Sequence, residues 1–220
     1  MPNDRRPTDP TPAADRPNAV VFDLGGVLID WDPRHVYRTL IPDEAEMERF
    51  LRDVANSEWN LEHDRGRPFD DGVALLTAAH PEHAELIAAY RDRWSEMIGG
   101  AIEPTVALLD ELRATGIRLL ALTNWSAETW PIGRARFAFL DWFEAIVVSG
   151  EERLVKPDPA VFRILVERHG LEPARTIFVD DQARNVEAAA ELGFRAIRFT
   201  DATELRESLV TLGVLAPGGP

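Results

Sequence analysis

The apolar residues of this chain fall into short solid runs and helical stripes, which alternate along most of its length. The first run is Ala19-Val20-Val21-Phe22. Its length and β-branched content predict a buried strand. It leads straight into Asp23, with Gly25 and Gly26 close behind. Between 32 and 98 the spacing is helical. Met47, Phe50, Leu51 and Val54 share one face, and Ile87, Tyr90, Trp94 and Met97 share another. Four or so helices and no strand are expected there. Asp32 would cap the first, with Pro33 at the first helical position. Gly99-Gly100 would close the segment as a hinge. Beyond it, strands are predicted over 117–122, 145–148, 176–179 and 195–199. Helices are predicted over 104–115, 127–139 (interrupted near Pro131), 159–169, 183–192 and 203–212. Such alternation implies right-handed crossovers and a parallel sheet, so the fold class is α/β.

Composition narrows the function. The 220 residues suit one domain carrying an insert, and a hydrophobic fraction of 45% is enough to fill its core. The formal net charge of −14 argues against nucleic acid or an anionic membrane surface as partner. It leaves room for a phosphorylated small molecule, because a bound metal reverses the local field. The chain has no Cys, which excludes thiol catalysis and cysteine metal sites. No apolar run reaches membrane-spanning length. Residues 1–18 hold five prolines among polar residues and no apolar core of a signal peptide. A disordered leader and a cytoplasmic location are expected.

The polar residues at the strand ends carry the chemistry. Asp23, Thr123-Asn124 and Asp180-Asp181 each follow a predicted strand, and Lys156 lies in the loop after another. In a parallel sheet all these ends share one edge, where ligands bind. Acids, a hydroxyl, an amide and a lysine on one rim suit phosphoryl transfer to a carboxylate nucleophile. Asp23 would attack phosphorus. Mg²⁺, which prefers hard oxygen ligands, would screen the charge through Asp23 and Asp181, helped by Asp180. Lys156 would neutralise phosphate, and Thr123 with nearby amides would bind its oxygens.

In its ordered motifs the chain resembles the haloacid dehalogenase-like (HAD) hydrolase superfamily. These are Asp23-Leu24-Gly25-Gly26-Val27, then Leu122-Thr123-Asn124, then Lys156-Pro157-Asp158, then Val179-Asp180-Asp181 with Asn185 beyond. The resemblance implies a Rossmann-like doubly wound parallel sheet over 19–31 and 101–214, with an inserted α-helical cap over 32–100. It implies an Mg²⁺-dependent hydrolase of small phosphate monoesters, sugar phosphates among them, acting through an aspartyl-phosphate. Asp23 and Lys156 would be catalytic. Thr123, Asn124, Gly25 and Gly26 would face the substrate. Asp23, the Gly25 carbonyl, Asp180 and Asp181 would hold the metal, with Asp181 expected as its direct ligand.

One position departs from the family pattern. Phosphatases of this family carry a second Asp two residues after the nucleophile, as proton donor, and here that position is Gly25. Three readings follow. The substrate has a good leaving group; or another group, Asp30 or a cap residue, stands in; or the protein is not a phosphatase. A 2-haloacid dehalogenase needs no such donor, but the Asp180-Asp181 pair speaks for a retained metal site. A weakly active or inactive binding protein is the remaining alternative. In the insert, Glu58-Trp59-Asn60 and Asp64-Arg65-Gly66-Arg67 are expected as a substrate-selecting loop, with Trp59 stacking on a sugar and Arg65 holding an anion. Singly, each reads as a core Trp and a solvated charge. The state of assembly is not legible in the sequence.

Overall fold

Residues 16–218 are described by the structure, a computed structural model. Five parallel strands form the main sheet: β1 (Ala19–Phe22), β4 (Arg118–Thr123), β5 (Ala145–Val148), β6 (Thr176–Asp180) and β7 (Arg195–Arg198), in the order β5-β4-β1-β6-β7. β1 lies at the centre, pairing Phe22 with Ala121 on one side and with Val179 on the other. The chain builds outward from β1 through β4 to β5, then returns to the opposite side for β6 and β7. That reversal opens a crevice at the carboxyl ends of the central strands.

Successive side chains of a strand point to opposite faces. Val20 and Phe22 therefore join one hydrophobic cluster, and Ala19 and Val21 the other. Helices cover both faces, so β1 is apolar throughout rather than alternating. On one face, α9 (Pro159–His169) packs Val161, Phe162 and Leu165 against Phe178 and Leu120. Asp158 starts this helix by accepting from Ala160 N (2.8 Å), and Gly170 ends it in the left-handed region at φ 59°. α10 (Ala183–Glu191) starts just after the Asp180-Asp181 pair. The other face carries α6 (Glu103–Ala114) and α11 (Ala202–Thr211). α7 (Trp130–Arg136) is shorter than expected, and α8 (Ser149–Glu152) is a single turn after β5.

Five α-helices are inserted between β1 and α6: α1 (Arg34–Leu40), α2 (Glu44–Asp53), α3 (Ser57–Asp64), α4 (Phe69–Ala79) and α5 (Ala84–Asp92). Asp32 supports the first turn of α1 by accepting from Arg34 N (2.9 Å). The apolar faces of these helices continue the cluster that begins at Val20 and Phe22.

The segment holds no strand up to Met97, as expected, but two strands that the sequence pattern did not announce flank it. β2 (Ile29–Trp31) and β3 (Ile98–Ala101) form an antiparallel two-stranded ribbon at its base. Gly99 and Gly100, expected as a hinge, belong to β3. A Cβ at Gly99 would stand 2.0 Å from Asp30 Oδ2, which itself pairs with His35 Nε2 at 3.0 Å. Close packing explains this glycine. Most of the expected leader lies outside the described residues. Its last residue, Asn18, donates to Arg175 O and accepts from Arg118 N, tying the chain to the sheet edge. Among the described residues no helix is long and apolar enough to cross a membrane.

Candidate active site

Four loops converge above the carboxyl end of β1. Asp23 leaves the strand with its N–H still bonded to Val179 O (2.8 Å), which fixes it beside β6. Its Oδ1 accepts from Leu24 N (2.7 Å), and its Oδ2 lies 2.8 Å from Lys156 Nζ. The same ammonium stands 2.7 Å from Asp180 Oδ2. Lys156 and Asp180 are wholly buried and Asp23 nearly so. A buried ammonium persists only when paired and hydrogen-bonded, and the two carboxylates meet that need.

The partners of this triangle are themselves fixed. Asn185 Nδ2 donates to both oxygens of Asp180 (2.9 and 3.1 Å), and Gln182 N donates to its Oδ1 (2.9 Å). Asn124 clamps the lysine's backbone: its Oδ1 accepts from Lys156 N (2.8 Å) and its Nδ2 donates to Lys156 O (3.0 Å). Asn124, expected to bind phosphate, thus holds Lys156 in place. Thr123 ends β4 fully buried, behind the residues that line the cavity described below.

Electrostatics follow from this crowding. Burial pushes the Asp23 carboxyl up to about 8; Lys156 opposes it, while Asp180 and Asp181 add to it. Burial also works against the charge on Lys156, but Asp23 and Asp180 outweigh it and leave the ammonium above its ordinary value. Asp181, half-buried, is raised mainly by burial.

Asp23, Asp180 and Asp181 each offer an oxygen within 4.8 Å of the others. Closely spaced hard oxygens with room for water suit Mg²⁺. Gly26 completes the cradle. At φ 73° it occupies the left-handed region, and a Cβ there would come within 2.9 Å of Asp181 Oδ2. Gly25 differs: nothing lies within 4 Å of where its Cβ would be, so this position opens onto free space.

Over this floor lies a cavity of about 540 Å³. Asp23, Gly25, Lys156 and Asp181 line it below, and Asn60 and Asp64 of α3 line it above. An adjoining recess shares Gly25, Asn60 and Asp64 and is walled by Trp31, Trp94 and Trp125.

Two expectations for the insert are corrected. Residues 57–64 form α3, capped by Asn56, rather than a loop. Trp59 turns into the helical layer. It packs edge-on against Tyr90 (centroids 4.9 Å apart) and His63, and its Nε1 donates to Gly72 O (3.3 Å). It is buried and does not line the cavity. Arg65, just past the helix end, pairs with Glu62 and does not line the cavity. From the insert, Ser57, Asn60, Leu61 and Asp64 line it; Asn60 and Asp64, one helical turn apart, lie in the two stretches expected to meet substrate, though no role was expected of either singly. A hydrophobic pattern carries no signal for them, since both sit on a polar face. Trp31, Trp94 and Trp125 were equally hidden, being 63 and 31 positions apart.

Comparison with known proteins places these residues in context. Residues 17–193 match the model of a hydrolase family described as haloacid dehalogenase-like hydrolase. The chain is 30% identical over 188 residues to the sesquiterpene phosphatase astK of Aspergillus oryzae, covering 83% of this chain and 90% of that one. It is 31% identical over 218 residues to a phosphoglycolate phosphatase of Rhodospirillum rubrum, covering 91% and 86%. Among solved structures it resembles a HAD family enzyme of Bacteroides thetaiotaomicron in complex with magnesium and inorganic phosphate. The TM-score is 0.63 at 23% identity, over 86% of this chain and 98% of that one, a likeness of fold.

Proposed function

The chain belongs to the haloacid dehalogenase-like hydrolase family, and on that premise we propose that it is an Mg²⁺-dependent phosphatase of small phosphorylated metabolites. The observation that carries this reading is the cluster of Asp23, Asp180 and Asp181 around one point, with Lys156 bridging two of them. Displacement of halide from carbon has no need of three acids at one place. A phosphate dianion approaching a carboxylate does, because only a cation held by such acids offsets their repulsion. The two phosphatase relatives support the same reading.

In this proposal Asp23 attacks phosphorus in line and carries the phosphoryl group as an aspartyl-phosphate. Lys156 favours the ionised form of Asp23, against the burial that favours its neutral form, and faces the phosphate oxygens. Asn124 and Asp180 hold Lys156 from its two ends. Thr123 acts from the rim of β4. Mg²⁺, when held by Asp23, the Gly25 carbonyl, Asp180 and Asp181, supplies charge neutralisation at the phosphate. The helical insert covers the site and limits bulk water.

Phosphate release from a panel of phosphate esters, with and without chelator, tests the proposal. Release is expected to require Mg²⁺ and to fall to the protein-free background in Asp23→Asn, with the melting temperature retained. Release that persists in chelator or in Asp23→Asn overturns it. So does chelator-insensitive halide release from 2-haloacids in place of phosphate release.

A further inference from the structure

Expulsion of an alkoxide from phosphorus is slow unless the departing oxygen receives a proton. Some group in the cavity has to supply it. Position 25, two residues beyond Asp23, has open space before it but no side chain to fill that space. The other titratable groups lining the cavity are committed. Lys156 is shared by Asp23 and Asp180. Asp181 belongs to the acid cluster and accepts from Gln182 Nε2 (2.7 Å). Arg184 pairs with Glu58 at 3.6 Å and is too basic to donate.

Asp64 is different. It lines both the cavity and the tryptophan-walled recess, on the side opposite the floor. Among the described residues it forms no ion pair. Its Oδ2 accepts from Asn60 Nδ2 (3.1 Å), and its carboxyl accepts from Ser126 N, in the loop after β4. The backbone is locked as well. Asp64 O accepts from Ser149 Oγ (2.7 Å), and the same hydroxyl accepts from Trp125 N (2.9 Å). A carboxyl at the end of a helix in the insert is thus pinned to two loops of the sheet domain.

We propose that Asp64 is the acid–base group of this site, supplied from the roof of the cavity because position 25 supplies none from the floor. The assignment rests on the phosphatase reading above. In the first step the bond from Asp23 Oδ to phosphorus forms as the ester P–O bond breaks. The electron pair stays on the leaving oxygen, which takes the proton of Asp64. In the second step water adds to phosphorus and the aspartyl P–O bond breaks. The proton of that water returns to Asp64, so both carboxyls end as they began.

The surroundings suit such a cycle. Burial pushes the Asp64 carboxyl up to about 7, against the Ser126 N–H and Lys156, which pull it down. An acid poised near neutrality both gives and takes a proton at working pH. Asn60 and Tyr90 approach it from the helical layer, Ser126 and Lys156 from the sheet loops. Asp23, Asp181 and Arg184 are the other charges lining the cavity.

The test compares Asp64→Asn with wild type on an alkyl phosphate and on p-nitrophenyl phosphate, whose leaving group departs without a proton. The amide keeps an acceptor for Ser126 N and is expected to leave the fold intact. General acid–base help is worth roughly 10²–10⁴-fold, so turnover of the alkyl ester should fall by about that factor and of the aryl ester by less than about tenfold. The wild-type kcat on the alkyl ester should decline above neutral pH, and the variant should lose that limb. Gly25→Asp added to Asp64→Asn should restore the alkyl ester selectively, by refilling the open space from the floor. Equal losses on both esters, an unchanged pH limb, or no selective rescue overturn the role of Asp64. Absence of phosphate release from any ester by wild type overturns the phosphatase reading, and the role of Asp64 with it. Should Asp64→Asn not fold, the two wild-type pH profiles decide: identical profiles for alkyl and aryl esters overturn the proposal.

Discussion

The floor and the roof of the cavity are built on different principles. On the floor, Asp23, Lys156 and Asp180 are buried, mutually paired and tied to strand ends by backbone and amide bonds. On the roof, Asp64 and Asn60 hang from one short helix, held by each other and by two loop contacts. The floor therefore fixes a nucleophile and a charge in one geometry. The roof sets what else reaches the leaving group, and it changes without disturbing the sheet. A deeply paired charge is stable because removing either partner strands the other. A carboxyl in an aromatic recess, with no ion-pair partner among the described residues, has no such counterweight, and burial raises its pKa.

The sharpest way to break the comparison is Lys156→Met. It leaves Asp23 and Asp180 facing each other without a cation in a buried site. Breaking such a pair costs about 3–5 kcal/mol. Urea unfolding at neutral pH in the presence of chelator should show a loss of that order, with turnover abolished. A loss below ~1 kcal/mol would mean that the floor is not held by its charges.

Trp59 and Arg65 probe the insert away from the cavity. Truncating a buried aromatic costs about 3–5 kcal/mol, so Trp59→Ala should lose stability on that scale. Arg65→Ala removes an exposed pair with Glu62, worth well under ~1 kcal/mol. Neither is expected to change the KM of the alkyl ester more than the melting point explains. A raised KM in stable Arg65→Ala would return that residue to the site.

The smallest effect sharpens the roof. A carboxyl whose folded pKa is raised binds its proton more tightly in the native state than in the unfolded one. Its contribution is fully present below the unfolded pKa, near 3.8, and is lost as pH rises toward about 7. Wild type should therefore lose stability relative to Asp64→Asn between pH 5 and pH 7.5, in metal-free unfolding curves. A constant difference between the two would show that Asp64 titrates as a solvent-exposed acid does.

Much of this was legible in the residue order. The runs at 19–22, 117–122, 145–148, 176–179 and 195–199 became the five strands of the sheet to within a residue or two. The reason is local: a strand covered on both faces must be apolar throughout, and the helix between two such strands must begin and end on capping residues such as Asp158 and Gly170. The β2–β3 ribbon was not legible, because its two strands lie far apart in sequence and half of one is glycine. Trp59 stayed open between a core position and a sugar contact, because a tryptophan between charged residues looks the same whether it faces a ligand or Tyr90.

The sequence by itself determined the parallel α/β architecture and brought Asp23, Lys156, Asp180 and Asp181 to one edge. Parallel strands that end in polar residues have only one edge on which to put them. Only the tertiary structure decided that Asn124 serves Lys156, that Trp59 belongs to the helical layer, and that Asp64 lines the same cavity as Gly25. Those outcomes depend on how α3 and the loops after β4 and β5 pack together. No periodicity along a single segment records the packing of segments distant in the chain.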